Sequence, residues 1–147
     1  MRTEAAYSIA EFEPCHITEA RSLWQQSEGV GLSSADEPQA LHAFLSRNPS
    51  LSFVAVQSRS VVGTVLCGHD GRRGLIHHLV VAADHQRKGV GRLLLGYGLK
   101  ALREAGIEKC HLLVFNTNQA GLSFWRSVGA EERVSIALFS LSTENGV

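Results

Sequence analysis

The sequence predicts an α/β (α+β) chain: a mixed, mostly antiparallel, twisted sheet of six to seven strands flanked by about four helices. Three observations predict it. Strand-like runs and amphipathic helical runs are interspersed along the whole chain. Consecutive strands in the middle are joined by short polar turns, which makes hairpins. One of those strands then leads through a long helix to another strand, a crossover that adds parallel pairing and puts helices on both faces. At 147 residues, 44% hydrophobic and 19% charged, the composition suits a single domain over 1–147.

Ala6–Phe12 alternates weakly and reads as the first strand. Ile17, Ala20, Leu23 and Trp24 fall at helical spacing. The glycine- and serine-rich Ser27–Ser34 breaks that helix. Asp36-Glu37-Pro38 starts another, with Leu41, Phe44 and Leu45 on one face, and Asn48-Pro49-Ser50 stops it. Leu51–Val56, Ser60–Cys67 and Leu75–Val81 read as strands, the last two joined by the polar hairpin loop His69–Gly74. After Gly89 the period becomes helical, with Val90, Leu93, Leu94, Tyr97 and Ala101 on one face and Gly106 as the C-terminal cap. Gly96 and Gly98 weaken this helix, and close packing on the sheet is the expected reason. Lys109–Phe115 reads as a central strand, Asn118 as the cap of a short helix stopped by Gly129, and Val134–Leu141 as a closing strand.

Several function classes are excluded early. Formal net charge is zero, so a long nucleic-acid interface has no bulk electrostatic support. The opening MRTEAAYSIAEFEP does not read as a signal peptide, and no segment approaches the roughly 20 apolar residues of a membrane span. Cys15, Cys67 and Cys110 form no CxxC pair and read as reduced thiols of a cytoplasmic protein. Cys67 and His69 share a strand face, but two potential ligands make no zinc site, and no metal is expected.

The chemistry concentrates in Gln86-Arg87-Lys88-Gly89-Val90-Gly91-Arg92. A helix beginning here offers unpaired N–H groups and the positive end of its dipole to an anion. The glycines let that anion approach the backbone, and Arg87, Lys88 and Arg92 add charge-assisted contacts. A pyrophosphate is the expected ligand. GxxxxGK[ST] is absent, and GxGxxG fails because Leu94 stands at its third position. A solvated basic turn would explain the charges but not the paired glycines.

What remains, Q-R-x-G-x-G, resembles the coenzyme A pyrophosphate loop of the GNAT (GCN5-related) N-acetyltransferases. The resemblance extends upstream through Leu79-Val80-Val81. Downstream it takes in Asn118 and Phe124-Trp125-Arg126-Ser127-Val128-Gly129-Ala130, which is similar to the family's N-x-x-A-x-x-x-Y-x-x-x-G-F ending. Residues 60–130 match in order and spacing, residues 1–50 only in element order. The resemblance implies the acyl-CoA N-acyltransferase fold, acetyl-CoA as cosubstrate, and direct attack of an amine on the thioester while both substrates are bound. By position, Leu79, Val80 and Val81 would line the pantetheine arm on a bulged strand, with the Val81 N–H polarising the thioester carbonyl. Asn118 could hold the pantetheine amides as well as cap its helix.

An alkylamine must lose a proton before it attacks, and a histidine suits the task. His77 and His78 are the candidates. As neighbours on a strand they are expected to point to opposite faces and so not to share one site. Arylalkylamine acetyltransferases, in the same superfamily, carry a histidine at the position matching His77, which puts His77 first as base and His78 second. Where the family has a tyrosine as general acid this chain has Trp125, whose indole donates a hydrogen bond but does not ionise. Trp125 is therefore expected to be a core aromatic. The alternative that it raises is a non-catalytic acyl-CoA-binding module. The expected acceptor is a primary amine of a small molecule, peptide or protein; Ser27–Asp36 and the His69–Gly74 hairpin could border its entrance, with Arg72 and Arg73 at the hairpin tip expected to be simply solvated. Related domains often dimerise, so a homodimer stays open.

Overall fold

The computed structural model describes residues 7–147. Ala6, placed above in the first strand, lies outside the described residues. In order, the elements are β1 (Ser8–Glu11), α1 (Ile17–Gln25), α2 (Pro38–Arg47), β2 (Phe53–Gln57), β3 (Ser60–His69), β4 (Gly74–Val81), α3 (Val90–Glu104), β5 (Cys110–Leu112) and α4 (Gln119–Ser127). Among the described residues the sheet has five strands in the order β1-β2-β3-β4-β5. The first four pair antiparallel and β4 pairs parallel with β5. The mixed architecture is the expected one, with fewer strands than six to seven.

Local chemistry explains the helix ends. Pro38 opens α2 at its first turn, where the missing N–H is not needed. Gly106 follows α3 with φ +87° and Gly129 follows α4 with φ +92°, the left-handed geometry of a helix C-terminus. The apolar spacing of α1 holds: Ile17, Ala20, Leu23 and Trp24 are all buried. They pack with α2 and Val54, Leu66 and Val80 on one face of the sheet. The other face carries α3, with Val65, Cys67, Ile76, Val90, Leu94 and Leu102 in the core, and α4 leans its Phe124 and Trp125 against it.

Four sequence expectations are corrected. The buried face of α3 is Val90, Leu94, Leu95, Gly98 and Leu102, whereas Leu93 and Tyr97 are exposed. The cause is Gly98: a methyl group there would lie 2.8 Å from Cys67 Sγ, so the helix comes closest to the sheet along the Gly98 ridge. Gly96 has nothing within 4 Å, so close packing does not account for it. Lys109–Phe115 is not a central strand: only Cys110–Leu112 pairs, at the sheet edge, with Leu113 and Phe115 exposed. Val134–Leu141 forms no strand. Val134, Ile136, Leu138, Phe139 and Leu141 are all exposed, so its alternating pattern meets no partner edge.

Candidate active site

The site grows from a seam. β4 pairs with β5 only over Gly74–Ile76 and Cys110–Leu112. From His77 onward the two strands part, and the β5-facing edge of β4 loses its ladder partner. The Ala82 N–H donates to Val62 O at 2.8 Å, so by antiparallel alternation the Val81 N–H points away from β3, toward the open seam. The same alternation turns the backbone of Val80 toward Thr64, while its side chain is buried against α1. Of Leu79, Val80 and Val81, Val80 therefore contributes packing, and Val81 a free donor.

The seam opens where β4 is distorted. The register with β3 shifts between Thr64 and Leu66, and His78 has φ +46°. A left-handed non-glycine residue costs about 1–2 kcal/mol, so the surrounding contacts must hold it there. This bulge overturns the expectation that His77 and His78 face opposite sides. His77 packs edge-on against Phe44 of α2, with ring centroids 5.9 Å apart. His78 lies 4.5 Å from the Trp24 ring of α1, and its Nε2 is 2.7 Å from Asp36 Oδ1. Both imidazoles therefore sit on the α1–α2 face, because one left-handed residue breaks the alternation that a regular strand would impose.

Their environments differ. The half-buried His77 has its pKa pushed below the ordinary value, first by burial, then by His78, with Asp36 opposing. It is thus neutral at pH 7, and among the described residues its ring has no hydrogen-bond partner. His78 is engaged by Asp36, and only about an eighth of either side chain is exposed. An open cleft of about 270 Å³ lies over Trp24 and Asp36, walled by Arg21, Leu32, Ser33 and Glu37. The Ser27–Asp36 loop borders this cleft. The hairpin at 70–73 is closed on itself, the Arg72 and Arg73 N–H groups donating to Asp70 Oδ1. These bonds hold the exposed Asp70 carboxyl below its usual pKa.

The basic loop follows β4. Gly89 is the N-cap of α3 with φ +84°, so it is glycine for conformation as well as for access. A methyl group there would meet nothing within 4 Å, which leaves open space in front of the backbone. Arg87 is also left-handed, at φ +64°, and it and Lys88 are exposed. Gln86 anchors the loop by donating to Val81 O at 3.0 Å. Arg92 turns toward α4 and donates to Ser127 Oγ at 3.1 Å. The side chain of Val90 is in the core, so it can offer a ligand only its backbone. Gly91 has ordinary room for a methyl group beside Phe124, and nothing within the chain requires glycine there.

Asn118 caps α4, accepting the Gly121 N–H at 2.9 Å. It also meets the loop after α1: a methyl group on Gly29 would lie 2.6 Å from Asn118 Nδ2, and one on Gly31 2.7 Å from Phe115. The loop therefore reaches from Asp36 beside β4 to the chain leaving β5, across the parted strands. Sequence reasoning missed Asp36, Trp24 and Thr64 as members of the site. Nothing in their spacing linked them to His78, since the contacts span 42, 54 and 14 positions. Trp125 is half-buried against the α3-side core, edge-on to Phe124 at 5.2 Å, as a core aromatic would be.

No group of three or more histidine, cysteine or acidic side chains placed to hold a metal occurs among the described residues. Nor is any helix among them long and apolar enough to cross a membrane. The loop and seam fit coenzyme A: an uncovered glycine backbone with flanking cations for a pyrophosphate, and an unpaired strand edge for an amide-bearing arm.

Comparison with known proteins shows the family and the fold. Acetyltransferase SG1711 of Sodalis glossinidius (strain morsitans) is 29% identical over 131 residues, covering 88% of this chain and 91% of that protein. Two solved structures share the fold. Ard1 from Thermoplasma volcanium superposes with a TM-score of 0.75 at 23% identity, over 84% of this chain and 82% of that one. AAC(6')-Iy in complex with the bisubstrate analogue CoA-S-monomethyl-acetylneamine superposes with a TM-score of 0.72 at 15% identity, over 92% and 98%. Residues 17–130 match the model of the acetyltransferase (GNAT) family, and the chain belongs to that family.

Proposed function

We propose that residues 1–147 form one acetyl-CoA-dependent N-acetyltransferase domain, working in the cytoplasm on a primary amine of a small molecule, peptide or protein. The observation that carries this reading is the unpaired edge of β4 at His77–Val81, followed in the chain by the uncovered backbone at Gly89. The pyrophosphate lies on the loop from Gln86 to Arg92, and the pantetheine arm adds along Leu79–Val81. The structure of AAC(6')-Iy with a CoA-containing bisubstrate analogue, on the same fold, supports coenzyme A as the cosubstrate.

The residues divide the work. The acceptor enters by the cleft at Asp36 and Trp24. His77, neutral and unpartnered, takes a proton from the ammonium directly or through a water, with His78 as the second candidate. The amine nitrogen forms its bond to the acetyl carbon while both substrates are bound. The oxyanion meets the Val81 N–H. The carbon–sulfur bond then breaks and CoA leaves as a thiolate, and the second proton that the new amide nitrogen must lose passes through water to the sulfur. A thiol titrates near 8.5, so this departure needs no phenol. Trp125 in place of a tyrosine favours a second reading, a domain that binds acyl-CoA without turnover.

Thermal unfolding with acetyl-CoA, ATP and NAD in parallel tests the first step. A ligand at 100 times its Kd adds about 2.7 kcal/mol of stability. Stabilisation by acetyl-CoA alone, followed by CoA-thiol release with a primary amine from a panel, is the expected result. Stabilisation without thiol release from any amine favours the non-catalytic domain. No stabilisation by acetyl-CoA removes both.

A further inference from the structure

The left-handed residue at the centre of the site is held from two sides by groups that carry no catalytic assignment. On the backbone side, Thr64 Oγ1 donates to His78 O at 2.8 Å. The same hydroxyl accepts from Trp24 Nε1 at 2.9 Å. An indole only donates and a hydroxyl has one hydrogen, so Trp24 fixes the direction in which Thr64 must give its own. Both side chains are fully buried. On the ring side, Asp36 Oδ1 holds His78 Nε2, while Asp36 Oδ2 accepts the Ser33 N–H at 3.0 Å. Arg21 Nε donates to the Asp36 carbonyl at 2.9 Å, tying the carboxylate's own backbone to α1. His78 is thus clamped at its carbonyl and at its imidazole. Were it to relax to an extended conformation, strand alternation would return and turn His77 and His78 to opposite faces. The edge of β4 facing β5 would lose the bend that keeps it open.

We propose that Trp24, Thr64 and Asp36 are positioning residues for acetyl transfer: they lock the turn at His78 that keeps the β4 edge open for the cofactor and sets the His77 imidazole on the acceptor face. This rests on the N-acetyltransferase reading. None of the three need touch a reacting atom; they act through His78. The titratable groups acting on His77 are His78 and Asp36, one on its own strand and one beside α2.

Thr64→Val keeps the branched shape and removes the hydroxyl, and Thr64→Ser keeps the hydroxyl. In a folded Thr64→Val protein, calorimetry should show acetyl-CoA affinity weakened about tenfold or more. The NMR titration of the His77 ring should move up toward that of a free imidazole. Thr64→Ser should return both to the values of the unaltered chain. If Thr64→Val does not fold, Trp24→Phe, which removes the indole donor and keeps an aromatic ring of smaller size, carries the same two readouts. A His77 titration unchanged in a folded variant overturns the proposal, and so does unaltered acetyl-CoA affinity. The titration needs no ligand, so it is separate from failure of the unaltered chain to bind acetyl-CoA, which would instead overturn the functional reading.

Discussion

The two ends of β4 are built from similar residues and do different work. At Gly74–Ile76 the strand is flanked on both sides, by β3 and by β5. Gly74 is pressed against its neighbours there: a methyl group would lie 3.1 Å from Cys110 Cβ and 3.2 Å from Leu102. At His77–Val81 only β3 remains, and the other edge is open. The difference does not come from hydrophobicity, since Leu79, Val80 and Val81 are as apolar as Leu75 and Ile76. It comes from one left-handed residue, His78, and from the short pairing of β5. A strand can thus serve as sheet at one end and present an unpaired edge at the other.

Substitutions can break this contrast or sharpen it. The largest effect is expected at Gly89, just beyond the open end. Gly89→Leu should weaken acetyl-CoA binding roughly a hundredfold or more by calorimetry, because the side chain would fill the space in front of the backbone. The left-handed φ adds a stability cost of about 1–2 kcal/mol, which leaves the chain folded by circular dichroism. Unchanged affinity would remove the pyrophosphate-loop assignment.

Next comes His77, inside the open end. His77→Ala should lower kcat/KM about a hundredfold at neutral pH and less at high pH, where the amine deprotonates unaided. A uniform loss across pH would argue against a base. Its stability effect has a definite sign. Burial depresses the folded pKa below the ordinary 6.5, so the unfolded chain binds the proton first as pH falls. Stability is therefore unaffected above that value and falls as pH drops from 6.5 toward the folded pKa. His77→Ala should flatten this part of a denaturation-versus-pH curve.

The smallest effect on function is expected at the paired end. Gly74→Val should cost about 1–3 kcal/mol in urea unfolding through overpacking against Cys110 and Leu102, with acetyl-CoA affinity kept within about twofold. If Gly74→Val abolished binding while Gly89→Leu did not, the assignment of structure to one end and ligand to the other would be reversed.

Much of this arrangement was legible in the chain, and the illegible parts share a cause. The helix over 17–25 and the caps at Pro38, Gly106 and Gly129 depend on neighbours a few positions away, and they stand where spacing and turn chemistry put them. The loop at Gln86–Arg92 was readable for the same reason: its glycines and cations are contiguous. The buried face of α3 was misread because Gly98 is selected by a contact with Cys67, a strand residue 31 positions away. Val134–Leu141 shows the limit from the other side. Its apolar alternation satisfies local strand propensity, yet Val134 and Phe139 stay 87% and 89% exposed, because a strand needs an edge to pair with.

The sequence by itself determined the element order as far as α4, the mixed sheet and the position of the glycine-rich basic loop, all properties of short-range periodicity and backbone freedom. Only the tertiary structure decided that both histidines share one face, that Asp36 meets one of them, and that β5 parts from β4 at Ile76. The first of these outcomes follows from a single left-handed residue whose strain is offset by Thr64, Trp24 and Asp36. These partners come from β3, α1 and the segment before α2, and no local pattern announces a cost that is met by contacts so distant in the chain.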